Sequence, residues 1–198
     1  MTRTHLPSKL RKKEIVASVI ALSARQDIGR ITSAQIAAAI DLSEGAIFRH
    51  FNDKSAIWAA VLDWTRDELH TRLDAAPGTN GLARLEAMMQ AHLSFVQQYP
   101  GVPRILLAEL QSPAPSPAKQ IALELMQGYR LRVATQIDHA IEAGECNEHV
   151  DAADAAIWLL SMIQGLVLQA LATGTLDGLN KQSGELFTFF KRGVEAGR

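Results

Sequence analysis

The sequence predicts an all-α fold of about nine helices, in which a small N-terminal three-helix domain precedes a larger helical domain. Apolar residues recur at spacings of three and four along the 198 residues, without sustained period-two alternation, which indicates helices throughout. Breaks that contain Gly or Pro divide this pattern into segments of helix length. Within residues 32–51, two short helical patterns are joined by a turn of about three residues. We expect residues 1–55 to form the small domain and residues 56–198 the larger one.

Residues suited to helix ends predict the limits of the first helix and the start of the second. Ser8 can cap a first helix that runs to about Arg25, and Gly29 suits the left-handed turn that often ends a helix. Thr32 or Ser33 can cap the second helix, which is short.

An Asp-Leu-Ser turn separates the second helix from a third, which Ser43 can cap. A small apolar core should fix the angle between these two helices, and it is expected to contain Ile36, Ile40, Leu42, Ile47 and Phe51. A fourth helix covers about residues 54–73, and the segment at residues 75–81, with one Pro and two Gly, ends it.

Five more helices are predicted in the larger domain. The Pro-rich segment at residues 112–119 is a loop or stiff connector between two of them. The helices cover about residues 82–99, 104–111, 118–143, 151–173 and 182–196.

The charge is unevenly distributed along the chain. Residues 1–55 hold nine Lys or Arg against five Asp or Glu, whereas residues 56–198 hold eleven against sixteen. A basic N-terminal quarter on an acidic body suggests an anionic partner at that end. Chance clustering of solvated lysines at residues 9–13 explains the same imbalance, and charge alone leaves both explanations open.

The composition predicts a cytoplasmic protein. A single cysteine, Cys146, excludes an intramolecular disulfide and a cysteine-cluster metal site. The basic N-terminus lacks the apolar run of a signal peptide. The apolar run at residues 155–172 carries Ser161, Gln164 and Gln169, which favours a buried core or interface helix over a membrane span. We therefore expect no membrane association, no metal and no cofactor.

Two short helices joined by a tight turn, with a longer helix before and after them, are typical of a helix-turn-helix. In that motif the second helix is exposed along one side and enters the major groove of DNA. An ordinary helical hairpin in an all-α domain has the same pattern, and periodicity and charge leave that alternative open.

Residues 31–58, ITSAQIAAAIDLSEGAIFRHFNDKSAIW, resemble the DNA-binding segment of the TetR/AcrR family of bacterial transcriptional regulators. That segment has a Thr and an Ile-Ala pair in its second helix, a Gly in its recognition helix, aromatic residues around a basic one, and a Lys that opens the fourth helix. The corresponding residues here are Thr32, Ile36, Ala37, Gly45, Phe48, Arg49, His50, Phe51 and Lys54. The match covers about the first sixty residues, and the remaining chain resembles the family's ligand-binding domains only in pattern and length.

The resemblance implies a set of DNA contacts. Thr32 would donate its hydroxyl to a phosphate, and Gly45 would permit close approach to DNA. His50 and Lys54 would contact phosphates, whereas Arg49 would reach a phosphate or a guanine edge. The expected DNA-binding residues are Thr32, Ser33, Ser43, Glu44, Gly45, Ala46, Phe48, Arg49, His50 and Lys54.

Three residues depart from the family pattern. Asp41 replaces the Gly of the turn, which is tolerable because Asp can adopt left-handed backbone angles. Phe48 replaces the usual Tyr and loses any phenol contact with phosphate. Glu44 places a carboxylate on the expected DNA face. There the carboxylate could accept a hydrogen bond from a cytosine amine, or it could repel phosphate and so sharpen specificity. A third alternative is that it only interacts favourably with the helix dipole.

Large, adaptable side chains in the larger domain suit an apolar cavity for a small hydrophobic or amphipathic effector, although the same residues also fit an ordinary packed core. The candidates are Met88, His92, Phe95, Met126, Tyr129, Trp158 and Met162.

The last two long helices are more apolar than one small domain can hide, and Phe187, Phe189 and Phe190 should be exposed in a monomer. The resemblance implies that these helices pair with their copies in a four-helix bundle. The expected interface residues are Trp158, Gly165, Leu166, Gln169, Phe187 and Phe190.

An enzyme is disfavoured. The six histidines have no metal-ligand spacing, Asp151 and Asp154 suit helix capping, and nothing basic adjoins Cys146. We expect instead a homodimer that binds a palindromic operator in double-stranded DNA, most simply a repressor released by a small-molecule effector. The alternative is an architectural or adaptor protein of the same fold, which binds DNA and docks a protein partner.

Overall fold

The computed structural model describes residues 7–196, and the all-α prediction is confirmed. Within these residues there are nine α-helices and no β-strand, together with 3-10 turns at Ile28–Arg30 and Leu176–Gly178. The α-helices are α1 Ser8–Ser23, α2 Ser33–Ala38, α3 Glu44–Ile47, α4 Lys54–Asp74, α5 Gly81–Gln98, α6 Gly101–Gln111, α7 Pro117–Glu142, α8 Ala152–Thr173 and α9 Leu179–Val194.

Contacts within the chain define two compact units. The described residues as far as Arg66 form the first unit together with Tyr99–Leu123. The second unit consists of Asp67–Gln98 and the described residues from Glu124 onward. Both α4 and α7 therefore contribute residues to each unit. The division of function after residue 55 stays a prediction.

In the first unit, α1 packs against α2 and α6. A Cβ on Gly101 would lie 2.2 Å from the carbonyl oxygen of Ile20, so only glycine lets the start of α6 approach α1 this closely. Isoleucines from successive elements fill the core between these helices. The fully buried ones are Ile15, Ile31, Ile36, Ile47, Ile57 and Ile105.

Two predictions about the ends of α1 are wrong. Pro7 is the N-cap residue, and the hydroxyl of Ser8 instead forms a hydrogen bond of 3.2 Å with Nδ1 of His50. The helix ends at Ala24 in a right-handed conformation, so no left-handed glycine is needed there. Gly29 lies in a 3-10 turn and donates its N–H to the carboxylate of Asp27 at 3.0 Å.

In the second unit, α5 and α8 both pack against α9. The predicted cap of α8 is confirmed, because Asp151 accepts a hydrogen bond of 2.9 Å from the N–H of Asp154. Glu145 caps α5 from a distance, since its carboxylate accepts from the N–H groups of Gly81 and Leu82 at 3.3 and 3.1 Å. Packing around α5 buries Leu85, Met88, Met89, Leu93, Phe95 and Val96.

Candidate nucleic-acid interface

The helix that precedes the candidate recognition helix is fixed at its start by a reciprocal cap. Thr32 is the N-cap of α2, and its hydroxyl oxygen accepts from the N–H of Gln35 at 3.2 Å. The side-chain oxygen of Gln35 accepts from the N–H of Thr32 at 2.9 Å. This capping box satisfies two end donors and allows a helix of six residues to begin at a defined point. Of the two predicted caps, Thr32 is the one that forms.

The turn between α2 and α3 depends on one left-handed residue. Asp41 has a φ of 54°, as the sequence predicted, and it is the only residue other than glycine with positive φ in the described part of the chain. The N–H of Leu42 then donates to the carbonyl of Ala37 at 2.8 Å and closes the end of α2. Ser43 precedes α3 as its N-cap without a side-chain hydrogen bond.

One face of α3 is anchored in the core and the opposite face is uncovered. Ile47 is fully buried and Phe51 nearly so, whereas 42% of Phe48 is exposed. Ile40 and Leu42, predicted as core residues, are only half-buried. The exposed residues on and around α3 are Ser43, Glu44, Gly45, Phe48 and Arg49, with Ala46 half-buried.

Gly45 has no structural reason to be glycine in the described chain. A Cβ placed there would meet no atom within 4 Å, and the backbone angle is one that any residue adopts. Glycine in a helix costs roughly 0.5–1 kcal/mol relative to alanine. A glycine that the fold does not require is consistent with close approach of another molecule to this face of α3.

Glu44 is held by the preceding helix. The hydroxyl of Ser33, in the first turn of α2, donates a hydrogen bond to its carboxylate. Both residues were predicted to face DNA, and the structure brings them together. The contact restrains the direction of the carboxylate at the start of α3.

Basic residues surround this face and are held by neighbouring side chains. Lys54 lies at the start of α4 with its ammonium 5.6 Å from the ring centroid of Trp58. Lys12 of α1 lies 5.4 Å from the ring centroid of Phe51. Such cation–π contacts orient a charge and leave it available to phosphate.

Two of these contacts were missed by the sequence reasoning. Ser8 and His50 are 42 residues apart, and the contact between Lys12 and Phe51 also joins distant parts of the chain. No local spacing encodes such pairs, because they form only when α1 packs beside the helix-turn-helix.

Most of the predicted effector residues lie in the packed interior of the second unit. Met88, Phe95 and Tyr129 are almost fully buried. His92 keeps some exposure, yet its Nδ1 shares a hydrogen bond of 3.2 Å with the hydroxyl of Tyr129. Burial lowers the pKa of His92 to about 4 and raises the pKa of Tyr129 well above its usual value. Of these residues, Met88 also lines a surface cavity of about 300 Å³.

The remaining effector candidates lie nearer the surface. Met126 and Met162 are half-buried, and the side-chain amide of Gln164 approaches the sulfur of Met126 at 3.7 Å. Trp158 is 59% exposed, so the structure does not place it inside the buried group. Its exposure fits its second predicted role, at an interface, better than its first.

The expectation that all three phenylalanines of α9 would be exposed in a monomer is wrong for two of them. Phe187 and Phe190 are buried within the protomer, and their ring centroids lie 6.1 Å apart. Phe189 is 73% exposed, as expected. On α8, Gly165 and Leu166 are half-buried and Gln169 is exposed.

The helix α8 is apolar well beyond the face that it buries. By length and composition alone α8 would be able to cross a membrane, and less than half of its most apolar part is buried in the protomer. Core helices of proteins without a membrane meet the same criteria. Its exposed apolar residues include Ile157, Trp158 and Leu168.

A helix-turn-helix with an uncovered second helix, followed by a helical unit, is typical of DNA-binding regulators. The family model of the bacterial regulatory proteins of the tetR family matches residues 15–61. The model of the tetracyclin repressor-like C-terminal domain matches residues 78–168. The chain belongs to the TetR family of bacterial transcriptional regulators, whose members bind DNA and dimerise.

Curated relatives include several proteins named nucleoid occlusion factor SlmA. The one from Idiomarina loihiensis is 31% identical over 101 residues, which are 50% of this chain and 52% of that protein. The one from a Marinomonas species is 24% identical over 163 residues, 79% of this chain and 81% of that protein. The chain thus spans about half the length of most of the SlmA proteins that it matches.

Solved structures of low identity share the fold along nearly the whole chain. A TetR transcription regulator from Haloarcula marismortui is 20% identical, with a TM-score of 0.81 over 95% of this chain and 100% of that one. The regulator FadR from Bacillus subtilis, solved in complex with stearoyl-CoA, is 16% identical, with a TM-score of 0.77 over 92% and 99%.

Proposed function

We propose that the chain is a homodimeric, sequence-specific transcriptional regulator, most simply a cytoplasmic repressor, that binds a palindromic operator and is released by a small effector. The observation that carries the proposal is the uncovered face of α3, with Gly45 open to solvent and basic residues beside it. The capping box fixes the start of α2, and the left-handed Asp41 sets the turn from α2 into α3, which presents this face. A fixed helix with an open, glycine-containing face suits insertion into a major groove.

The chemistry of each side chain near α3 indicates whether it would contact phosphates or bases. Lys12, His50 and Lys54 would bind phosphates and set the register of the protein on the duplex. Glu44 and Arg49 would reach base edges, where a carboxylate accepts from cytosine and a guanidinium donates to guanine.

A dimer would place two such faces on one side of the DNA. The exposed apolar residues Trp158, Leu168 and Phe189 on α8 and α9 support pairing of these helices with their copies. Two recognition helices related by a two-fold axis read half-sites roughly 34 Å apart, or a multiple of that distance, so the operator would be palindromic.

Release would depend on an effector that binds two conformations unequally. Because α4 begins beside the helix-turn-helix and ends in the second unit, movement of this helix would change the separation of the recognition helices. FadR, which shares the fold, was solved in complex with stearoyl-CoA, and this supports a ligand-responsive role for the chain.

A second candidate function has a specific observation in its favour. Several curated relatives are named nucleoid occlusion factor SlmA, a name that does not describe a transcriptional regulator. In this second function the chain would bind DNA as an architectural or adaptor protein and dock a protein partner, without sensing a small molecule.

Selection of random duplex DNA by the purified protein, followed by titration of the binding constant against salt, tests the proposal. A palindromic motif is expected, with affinity that falls steeply as salt rises. Lys12→Gln should reduce the salt slope by about one and leave the motif unchanged, whereas Arg49→Gln should change the motif if Arg49 reads a base. Tight binding without an enriched motif would contradict an operator-specific regulator, and absence of binding at low salt would contradict DNA recognition by α3.

A further inference from the structure

We propose that a cavity in the second unit binds a small amphipathic anion, a carboxylate or phosphate on a short apolar body, through the guanidinium of Arg84. The inference rests on the proposed effector-responsive function and names the chemistry of the effector. The cavity has a volume of about 300 Å³, near the lower end of the range for small-molecule sites. It is lined by the last residues of α4, the first half of α5 and the middle of α7.

One of the two arginines in the cavity is already occupied. Nε and Nη2 of Arg132 donate to the two carboxylate oxygens of Asp74 at 2.7 and 3.0 Å. Nη1 of Arg132 donates to the carbonyl of Gly128 at 3.1 Å. The bidentate hydrogen bonds from Arg132 hold the pKa of Asp74 below its usual value, so the carboxylate stays ionised and paired. The Asp74 carboxylate is hydrogen-bonded to Arg132 and interacts with Arg84 through charge at longer range.

The second arginine, Arg84, has one buried donor without a partner in the described part of the chain. Its Nη2 donates to the main-chain oxygen of Asp74 at 3.1 Å, at the end of α4. Its Nε is buried and has no hydrogen-bond partner among the described residues. A guanidinium carries five N–H donors, and a buried donor without a partner costs stability. An anion in the cavity would give this guanidinium the negatively charged acceptor that it lacks within the described chain.

The other wall of the cavity is apolar. Leu73 and Met88 are buried side chains that line it, and Leu131 stands at its rim with 58% of its surface exposed. An exposed leucine beside a guanidinium suits a ligand with one charged end and a short hydrocarbon part. Two guanidinium groups and one carboxylate leave the cavity with a net positive charge, although residues 56–198 as a whole are acidic.

The position of the cavity connects it with regulation. Leu73 and Asp74 are the last two residues of α4, the helix that follows the helix-turn-helix in the chain. A ligand that contacts the end of this helix has direct access to the element whose movement we propose to control operator binding. A purely structural role, in which Arg84 only caps the carbonyl end of α4, predicts no dependence on the charge of an added small molecule.

Isothermal titration and thermal unfolding of the full-length protein with octanoate, octyl phosphate and neutral octanamide test the site. Octanoate or octyl phosphate should bind at millimolar concentration or below and raise Tm, whereas octanamide should not. The better of the two anions identifies the head group. Arg84→Gln should weaken anion binding about tenfold. Arg130→Gln, which removes the same charge from an exposed position on α7, should leave it unchanged.

A second variant tests the site independently, so that the result does not depend on whether Arg84→Gln folds. Leu131→Glu places a negative charge at the rim without disturbing buried residues, and it should also weaken anion binding. Equal binding of octanamide, unchanged affinity in both variants, or no binding of either anion would overturn the site. Operator affinity is measured separately with and without the anion. Anion binding that leaves operator affinity unchanged supports the site and overturns its effector role, whereas loss of specific DNA binding by the unliganded protein overturns the proposed function alone.

Discussion

The hydroxyl of Ser33 donates a hydrogen bond to the carboxylate of Glu44 and so joins the two helices of the helix-turn-helix at their N-terminal ends. A carboxylate restrained in this way is directed by the protein before DNA arrives. Restraint of this kind favours a role in recognition, because a free side chain would lose more entropy on binding.

Glu44→Gln should therefore relax the base preference at one position in each half-site, by about 1–3 kcal/mol. It should also raise affinity for random duplex DNA, since a negative charge near phosphate is removed. Ser33→Ala retains the carboxylate but releases it, so a smaller loss of preference at the same position is expected. Competition binding with operators that differ at single positions measures both effects. Unchanged preference in the two variants would show that Glu44 serves only the helix end.

Gly45→Ala separates the demands of the fold from those of DNA binding. Because a Cβ meets no atom within 4 Å, the substitution should stabilise the free protein by about 0.5–1 kcal/mol. The same methyl group should weaken operator binding where α3 approaches DNA closely. Gly184→Ala, at an open helical position in α9, is the matched control and should gain stability without loss of DNA affinity. Denaturant unfolding and DNA titration give the two readouts, and undiminished DNA binding by Gly45→Ala would argue against close approach at this residue.

Phe189 and Phe190 are adjacent in sequence but differ in environment, with 73% and 4% of their surfaces exposed. Phe189→Asp should leave the protomer folded and weaken the proposed dimer. Phe190→Asp should destabilise the protomer itself by more than about 3 kcal/mol, because it replaces a buried ring with a charge. Sedimentation equilibrium and thermal unfolding distinguish these outcomes. A Phe189→Asp protein that remains dimeric at micromolar concentration would place the interface elsewhere.

The features that the sequence predicted correctly are local ones. The cap at Thr32 and the left-handed Asp41 depend on residues within a few positions of each other, and both are confirmed. The helix-turn-helix therefore follows from short-range chemistry, and its resemblance to a known family reinforced it.

The predictions that proved wrong concern contacts and burial that are set by tertiary packing. Ser8 was expected to cap α1, but packing places it beside His50, far along the chain. In α9, buried residues repeat at spacings of three and four that include Phe187 and Phe190, and Phe189 falls off this stripe. The helical period of about 3.6 residues is enough to separate Phe189 from the buried stripe, because Phe189 lies on a different face of the helix from Phe187 and Phe190. The cavity beside Arg84 had no sequence signal, because residues from three helices form it.

Burial of His92 makes the stability of the protein depend on pH between two defined values. Burial lowers the pKa of folded His92 to about 4, whereas a histidine in the unfolded chain titrates near its ordinary pKa of 6.5. Between these values the unfolded chain binds more protons than the folded one, so stability falls as pH decreases through the window. The contribution of this residue is at most about 3 kcal/mol, fully present above the upper value and lost below the lower one.

His92→Gln removes the titrating group and retains a polar side chain that can reach Tyr129. The wild-type protein should therefore lose stability more steeply than this variant as pH is lowered from neutral toward 4, by up to about 3 kcal/mol across the window. His149→Gln, at an exposed position before α8, is the matched control and should retain the wild-type slope. Urea unfolding at several pH values measures the difference. Parallel pH profiles for wild type and His92→Gln would mean that His92 is hydrated or protonated in the folded protein, and the interior around Tyr129 would then be open enough to admit a polar ligand.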